Sequence, residues 1–469
     1  MATRDQPDRE SKEPFAEPTQ QRECSQDFST ESWYVAGFRE VCMRRNVALM
    51  RFNIFFLTLG VGAFSAGAAP VEPLYGLAQK EKGPFLDTLK ELVSIESGSK
   101  DREGLDRIST LIADRLRAVG GKVTLIEPGA DIYKMFDTPE KPGRMVEARF
   151  EGKGTKKILL IAHMDTVYLK GMLAQQPFRV DGNRAYGLGI ADDKQGVALI
   201  LHALALLKAT GFRDYGLVTV LIDGDEEVSA PASRALFGKL GSEHDATFSC
   251  ERSSPDDQLG LTTAGIAAIT LEVRGKASHA GAAPEQGRNA LYELGHQILQ
   301  TRDFSDPAIG LKMNWTLANA GTNRNVIPER ATAVADVRVL RVADFEGLEA
   351  KVRERIAKHL IPDTTVEMKF ERRRPPLQLS PRAEALAKRA QKIYGELGKK
   401  LNISTVAEGG GTDAAFAALK TENPVIERFG VIGFGAHSNS AESIDVDSIV
   451  PRLYLLARMV MDVSSNTTQ

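Results

Sequence analysis

Three apolar runs, each stopped by histidine or acidic residues, constrain the fold more than any other feature of the chain. The runs and the residues that end them are Ile158–Ala162 before His163 and Asp165, Leu217–Ile222 before Asp223-Gly-Asp-Glu-Glu227, and Ala246–Cys250 before Glu251. Near-continuous apolar strands are typical of buried parallel sheets, whose ligands bind beyond the carboxyl ends of the strands. The pattern therefore predicts an α/β fold in which a mostly parallel open sheet carries a site along its carboxyl edge.

His163 and Asp165 define the predicted site at the end of the first run. Residues i and i+2 of a strand point to the same side, so both side chains face the ligand crevice. An imidazole suits a borderline metal such as zinc, and the aspartate is placed to orient it. A histidine at a strand end is by itself more often structural, so this interpretation depends on partners elsewhere in the chain.

The segments around these runs fit a catalytic domain in two parts, residues 80–262 and 377–465. The first part carries the apolar runs and helical periodicity, and the second part carries glycine-rich loops and a final helix. Between them, residues 263–376 follow the order β-α-β-β-α-β, which is typical of an inserted ferredoxin-like α+β domain.

Residues 1–68 are predicted to lie outside the folded domains. Residues 1–42 are polar and without periodicity, which indicates a disordered extension. Residues 43–68 carry arginines, a short apolar stretch and Ala66-Gly-Ala68, which is the order of a secretory signal peptide. We therefore expect a periplasmic or secreted protein without stable membrane association after cleavage, with Met43 as a candidate start. The alternatives for the apolar stretch are a weak transmembrane anchor and a buried helix.

The composition leaves metal chemistry to histidines and carboxylates. A formal net charge of −2 offers no basic field for nucleic acid, so no nucleic-acid partner is expected. The three cysteines, Cys24, Cys42 and Cys250, have no paired spacing, which argues against a cysteine-rich zinc module and a disulfide framework.

Six polar residues that end apolar runs or lie in loops form a candidate metal constellation. They are His163, Asp192, Glu226, Glu227, Glu251 and His437. Two histidines and several carboxylates can hold two divalent ions if one carboxylate bridges them, and such a pair lowers the pKa of a shared water. Each residue has an ordinary alternative, such as a helix N-cap for Asp192 or a loop histidine for His437. Their conjunction favours the metal site.

Seven segments in order resemble the co-catalytic zinc metallopeptidases, the family of glutamate carboxypeptidases, aminoacylases and desuccinylases. The segments are His163–Thr166, Gly189–Lys194, Asp225–Glu227, Glu251, Gly275–Gly281, Asn325–Pro328 and Gly410–Asp413. The resemblance spans residues 80–465 and is greatest to the bacterial glutamate carboxypeptidases.

The resemblance implies a role for each residue of the constellation. The implied ligands are His163 and Glu251 for one zinc ion, Glu227 and His437 for the other, and Asp192 as a bridge. The implied catalytic residues are Glu226 as general base and Asp165, which orients His163. The Asp192–Asp193 peptide is expected to be cis. The choice between zinc, cobalt and manganese stays open.

By the same resemblance, the inserted domain serves as a dimerisation and lid domain. His279 is expected to reach the active site of the other subunit in a homodimer and to hydrogen-bond the scissile carbonyl. Asn325, Arg338 and Arg374 are candidates for binding the substrate, because an arginine grips a carboxylate through two hydrogen bonds. Gly410 is expected to line the substrate pocket. The alternative for both arginines is a solvated charge at a strand end.

The predicted activity is metal-dependent hydrolysis of an amide bond by a water that two zinc ions activate. It would release a C-terminal glutamate from a folate or N-acyl-glutamate, so the expected partner is a small peptide or acyl-amino-acid substrate. An aminoacylase or dipeptidase of the same family is the alternative activity. A non-catalytic metal- or peptide-binding relative is the alternative from another class.

Overall fold

The computed structural model describes residues 69–438 and 440–465. The predicted extension and signal peptide, residues 1–68, lie outside these residues. Within the described ranges, every helix is too short or too polar to span a lipid bilayer.

The helices and strands fall into three consecutive stretches of the chain. The first contains α1 Leu74–Lys80, α2 Lys82–Val93, α3 Arg102–Ala118, β1 Lys122–Ile126, β2 Met145–Glu151, β3 Lys157–His163, β4 Arg179–Asp181, β5 Arg184–Tyr186, α4 Gln195–Ala209, β6 Leu217–Asp223, α5 Arg234–Glu243, β7 Ala246–Ser249 and β8 Gln258–Gly260. The second contains β9 Gly265–Arg274, α6 Ala290–Thr301, β10 Lys312–Ala320, β11 Arg330–Val339, α7 Val342–Ile356 and β12 Thr365–Arg374. The third contains α8 Pro381–Gly395, β13 Asn402–Ser404, α9 Ala414–Ala418, β14 Val425–Ile426, β15 Gly433–Phe434, β16 Ser443–Asp445 and α10 Ile449–Ser465.

The main sheet has six strands in the order β1-β2-β6-β3-β7-β14. β3 lies parallel to both β6 and β7, and β14 lies parallel to β7. β2 runs antiparallel to both of its neighbours, so five of the six strands point the same way. The predicted mostly parallel sheet is confirmed. In its register His163 lies opposite Asp223, which brings the ends of β3 and β6 to one edge.

Strand β3 is buried on both faces, which explains its uninterrupted apolar sequence. Ile158, Leu160 and Ala162 belong to the larger hydrophobic cluster, to which α2, α3, α4, α8 and α10 contribute. Leu159 and Ile161 point to the opposite face and pack with side chains of α5 and α9. Burial of a large aliphatic side chain contributes about 1.5–3 kcal/mol, so the strand that carries His163 is anchored from both sides.

The second stretch forms a separate four-stranded sheet in the order β10-β11-β9-β12, with every neighbouring pair antiparallel. Alternate residues of β9, from Ala267 to Val273, pack with α6 and α7 in a hydrophobic cluster of their own. The chain order β9-α6-β10-β11-α7-β12 is the predicted β-α-β-β-α-β order. Residues 263–376 stay our predicted bounds for the insert.

Several short elements were not predicted. Strands β4 and β5 join β15 and β16 in a small antiparallel sheet. Helix α5 has two glycines, which weaken its intrinsic helix signal. The small sheet matters for the site because His437 lies between its paired strands β15 and β16.

Candidate metal centre

Asp165 joins the ends of β3 and β6. Its buried carboxylate lies 3.3 Å from Nδ1 of His163. The backbone N–H groups of Glu226 and Glu227 each donate to it at 3.1 Å, and Oγ of Ser99 donates at 2.7 Å. One carboxylate therefore fixes both the imidazole at the end of β3 and the turn after β6. This placement supports the predicted orienting role of Asp165.

Asp192 lies between the two predicted histidine ligands. Its Oδ1 is 3.1 Å from Nε2 of His163, and its Oδ2 is 3.3 Å from Nε2 of His437. The Asp192–Asp193 peptide is cis, as expected from the resemblance. Gly189 in the preceding turn has φ of +70°, and a Cβ there would lie 2.4 Å from Cγ2 of Thr166, so the turn requires glycine. A carboxylate that contacts both imidazoles has the geometry of a bridge.

Two groups of candidate ligand atoms adjoin this bridge. Oε1 of Glu251 lies 3.4 Å from Nε2 of His163, and Oε2 of Glu227 lies 3.2 Å from Nε2 of His437. Within each group the ligand atoms lie within 4.8 Å of one another. The groups are His163, Asp193 and Glu251, and Asp192, Glu227 and His437. The structure therefore brings together all five predicted ligands.

Asp193 is a further donor that we did not predict. It is fully buried, its Oδ2 accepts the backbone N–H of His163 at 3.4 Å, and Nε2 of Gln195 donates to its Oδ1. Burial and the neighbouring charge of Glu251 raise its pKa well above the usual range. In the sequence Asp193 is indistinguishable from an N-cap beside Asp192, so only the fold reveals its position.

The donor set fits divalent cations. It contains two imidazoles and four carboxylates, which are ligands that zinc and related ions accept. Oε1 of Glu227 is buried and has no hydrogen-bond partner among the described residues. Such an unsatisfied oxygen is costly, by about 1–3 kcal/mol or more for a charged group. Burial also raises the pKa of Glu227 to about 7 in spite of its contact with His437. A cation would compensate both effects.

Protons and metal compete for this site. Hydrogen bonds to Asp192 and Glu227 raise the pKa of His437 to about 10. Burial opposes ionisation of Asp192, but its hydrogen bonds with His163 and His437 hold its pKa well below the usual range. A histidine must lose its proton to bind a metal, so metal binding at this site releases protons.

Glu226 lies against Arg374 at the floor of the site. Nη1 of Arg374 is 2.7 Å from Oε1 of Glu226 and 3.1 Å from Oδ1 of Asp413. The arginine is 4% exposed, so it is not a solvated charge at a strand end. Burial raises the pKa of Glu226 well above its usual range, although Arg374 opposes the shift. Substrate binding by Arg374 stays a prediction, because its charge here meets two carboxylates of the protein.

Arg338 and Gly410 connect the glycine-rich loop to the inserted sheet. Arg338 donates to the carbonyl of Gly409 at 2.8 Å and forms two hydrogen bonds with Asp336 at 2.8 and 2.9 Å. The carbonyl of Gly410 accepts the N–H of Ala264 at 2.9 Å. The loop predicted to line the pocket is therefore held beside Arg338, and their contacts with substrate stay predictions.

His279 and Asn325 lie together on exposed loops of the inserted region. The N–H of Ala280 donates to the carbonyl of Asn325 at 2.9 Å, and Nδ1 of His279 accepts from the N–H groups of Gly281 and Ala282 at 3.2 and 3.0 Å. Because Nδ1 accepts, the neutral ring carries its proton on Nε2 and can donate it outward. Among the described residues, no hydrogen bond or ion pair joins either side chain to the candidate ligands.

Glu442 is a second residue whose position we did not predict. Its buried carboxylate accepts the N–H groups of Gly189, Ala191 and Asp192 at 3.0, 2.8 and 3.0 Å, together with the hydroxyl of Tyr168. The backbone that presents the bridging aspartate is therefore held by one carboxylate. The sequence signal is a lone acidic residue shortly after the last predicted ligand, which is too weak to identify it.

The chain matches Peptidase family M20/M25/M40 over residues 159–462. Carboxypeptidase G2 of Pseudomonas sp. (strain RS-16) is 42% identical over 408 residues, which cover 86% of this chain and 96% of that protein. A succinyl-diaminopimelate desuccinylase of Stenotrophomonas maltophilia is 27% identical over 352 residues, with 71% and 87% covered. Among solved structures, the M20 family metallo-carboxypeptidase Sso-CP2 from Sulfolobus solfataricus has a TM-score of 0.65 at 15% identity, covering 81% of this chain and 99% of that chain. The last similarity demonstrates a shared fold.

Proposed function

The chain belongs to Peptidase family M20/M25/M40, and from that membership we propose that it is a metal-dependent carboxypeptidase that releases glutamate from the C-terminus of a folate or other N-acyl-glutamate. The observation that carries the proposal is the contact of Asp192 with both His163 and His437, with Glu226 in the adjoining turn. The 42% identity to Carboxypeptidase G2 supports the carboxypeptidase assignment. The resemblance to glutamate carboxypeptidases carries the choice of glutamate.

We propose that the bound ions are two zinc ions. The ligands would be His163 and Glu251 for one ion, Glu227 and His437 for the other, and Asp192 for both. When bound, the ions would lower the pKa of a shared water and polarise the carbonyl of the scissile amide. Asp193 would offer a further carboxylate, since it lies in one group with His163 and Glu251. Asp165 keeps Nε2 of His163 directed at the site by contacting its other ring nitrogen.

Glu226 is placed to move the proton. The N–H of Glu226 is held by Asp165, and its carboxylate by Arg374. Because its pKa is raised, the carboxylate suits a group that takes a proton from the attacking water and passes it to the leaving amine. Hydrolysis breaks the amide C–N bond, adds the water oxygen to the carbonyl carbon and frees glutamate as the amine.

The inserted sheet would supply the contacts with the leaving glutamate. Arg338 is partly exposed and lies beside the glycine-rich loop, so its guanidinium can approach a carboxylate next to Gly410. Asn325 and Arg374 are the other candidates. Arg374 is buried and contacts two carboxylates, those of Glu226 and Asp413, whereas Arg338 is partly exposed and contacts only that of Asp336, so a substrate carboxylate reaches Arg338 more readily.

We further propose that the protein is a homodimer in which His279 of each subunit serves the active site of the other. His279 carries a donor on Nε2 and lies on an exposed loop, as this role requires. The inserted region also exposes Leu291, Tyr292 and Leu299 of α6 and Leu317 of β10. Apolar side chains exposed in numbers on one region are typical of protein interfaces.

Export to the periplasm or the medium is the final element of the proposal. It rests on residues 43–68, whose order of arginines, apolar stretch and small residues fits a signal peptide. Beyond residue 68 the chain has a single cysteine, Cys250, and it is buried, which suits an oxidising compartment.

The function can be tested by measuring free glutamate released from N-benzoyl-L-glutamate and from folate by the full-length protein loaded with zinc. We expect release that a chelator abolishes and added zinc restores. A panel of N-benzoyl amino acids with other C-terminal residues tests the specificity. Equal release of every terminal residue would instead indicate an aminoacylase or dipeptidase, and metal binding without turnover would indicate a non-catalytic relative.

A further inference from the structure

A cavity of about 460 Å³ opens beside the candidate metal centre. It is lined by two loops, Gly98–Asp101 and Thr166–Lys170, together with Glu227 and Val228. From its position and its walls, we propose that this cavity is the subsite for a bulky apolar acyl group on the carbonyl side of the scissile bond. This proposal rests on the proposed function, because it names the part of the N-acyl-glutamate that lies opposite the leaving glutamate.

The two loops form a preorganised wall. The N–H of Thr166 donates to the carbonyl of Ser97 at 2.9 Å, and the N–H of Ser99 donates to the carbonyl of Thr166 at 3.1 Å. A Cβ at Gly98 would lie 2.3 Å from the carbonyl oxygen of Tyr168, so only glycine lets the loops approach this closely. The cavity is therefore built by close contacts between the backbones of the two loops.

The cavity is continuous with the catalytic machinery. Glu227, a predicted metal ligand, forms part of its lining. Ser99, also in the lining, donates its hydroxyl to Asp165, the carboxylate that orients His163 and holds the N–H groups of Glu226 and Glu227. A group in this cavity thus lies next to the reacting amide. The cavity is therefore explained as part of the substrate site, without a separate ligand.

The chemical character of the lining selects the acyl side of the substrate. Val167 is 41% exposed and Leu169 is 71% exposed, so two large aliphatic side chains face open space next to a polar centre. Val228 adds a third apolar side chain. The cations of the lining are Lys100 and Lys170, and Lys170 is already paired with Glu103. A pocket with these walls suits a ring-sized apolar group, and it falls in the usual range of about 300–1,000 Å³ for ligand sites.

The leaving glutamate, at the other end of the substrate, requires a different part of the site. A C-terminal glutamate carries two carboxylates, and two arginines of the inserted sheet, Arg374 against Glu226 and Arg338 against the glycine-rich loop, lie outside the lining of the cavity. The apolar lining and the arginines therefore belong to different parts of the chain, which suits the two different ends of an N-acyl-glutamate. The acyl group would occupy the cavity, and glutamate would leave from the arginine side.

The test compares two substrates that share glutamate and differ only in the acyl group, N-benzoyl-L-glutamate and N-acetyl-L-glutamate. The full-length, zinc-loaded double variant with Val167→Ser and Leu169→Ser should lose about tenfold in kcat/KM for the benzoyl substrate, because an apolar pocket loses its walls. The value for the acetyl substrate should change little. The matched control is Val180→Ser, another exposed valine that lies on β4 and does not line the cavity.

Two results would overturn the subsite. Glutamate release with an unchanged benzoyl-to-acetyl ratio in the double variant would exclude the cavity as the acyl site. If the double variant instead changes the ratio of kcat/KM for N-benzoyl-glutamate to that for N-benzoyl-alanine, the cavity binds the leaving residue. The proposed function fails differently, since then the unaltered enzyme releases glutamate from neither acyl-glutamate. An unchanged Tm of the double variant verifies that it is folded.

Discussion

At the carboxyl edge of the main sheet, the predicted site residues contact one another. In the inserted region, His279 and Asn325 contact only their own loops, and Arg338 contacts Asp336 and the glycine-rich loop. Among the predicted residues of this region, Arg374 alone reaches the edge of the main sheet, where it contacts Glu226. His163, Asp192 and His437 meet within 3.3 Å, and the buried carboxylates of Asp165 and Glu442 hold the first two in place. His279 and Asn325 are exposed and lack any bond to the ligand groups among the described residues. The half of the site at the edge of the main sheet, the ligand half, is thus assembled within one chain. The half on the inserted region, the inserted half, needs a substrate or a second subunit to complete it.

This difference teaches that the two halves have different physical requirements. The ligand half concentrates carboxylates whose pKa values burial raises, and such a cluster is stable only if its geometry is fixed and a cation can compensate it. The inserted half presents neutral or paired side chains, which lose little by exposure to water. These side chains are therefore available to a substrate or to a second subunit.

The largest expected effect comes from Glu226, which belongs to the ligand half but to neither ligand group. Glu226→Gln keeps the size of the side chain and removes the proton acceptor, so kcat should fall by about 10²–10⁴-fold. The bound metal, measured by elemental analysis, should stay at the level of the unaltered protein. Glu346→Gln, an exposed change on α7, is the control. Normal turnover by Glu226→Gln would show that another group carries the proton.

A substitution of His279 tests the half of the site on the inserted region. His279→Ala should lower kcat by about 10²–10³-fold if Nε2 donates to the scissile carbonyl. His359→Ala, an exposed histidine of the same inserted region, should leave kcat unchanged.

Mixing the His279→Ala and Glu226→Gln proteins decides between the two subunit arrangements. If His279 serves the other subunit, a mixed dimer regenerates one intact site, and activity rises well above that of either variant alone. If His279 acts within its own chain, no pairing restores a site. The absence of recovery in verified mixed dimers would remove the proposed exchange.

The sequence-based predictions placed residues correctly where a position follows from local pattern. Apolar runs that end in His163 or Glu251 place those residues at the sheet edge, because parallel strands deliver their carboxyl ends together. Positions that depend on distant chain segments were not predicted. Glu442 meets the backbone of Asp192 across 250 residues of sequence, and nothing near it signals that contact. Arg374 follows two other arginines and resembles a solvated strand end, yet Glu226 and Asp413 bury it.

Glu442 provides the third test, since it supports the ligand half without touching metal. Glu442→Gln replaces one acceptor oxygen by a donor that faces backbone N–H groups, so the loop carrying Asp192 should loosen. Supporting contacts of this kind typically contribute 10- to 100-fold in metal affinity, and we expect a loss of about that size in a competition titration with a zinc chelator. Glu293→Gln removes a buried acceptor of the N–H groups of Leu360 and Ile361 in the inserted region. This control should lower the Tm but leave the zinc affinity unchanged.

The smallest expected effect is at Arg338, which joins the inserted sheet to the glycine-rich loop. Arg338→Lys keeps the charge but loses the planar fork that contacts Asp336 and the carbonyl of Gly409 together. A hydrogen bond from a charged group contributes about 1.5–3 kcal/mol, so KM for N-benzoyl-L-glutamate should rise by at least about tenfold while kcat changes little. The control is Arg341→Lys, whose arginine pairs with Asp344 on the surface. A fall in kcat with constant KM would mean that Arg338 sets the closure of the insert over the ligand half, and the two halves would then be coupled through this side chain instead of through the substrate.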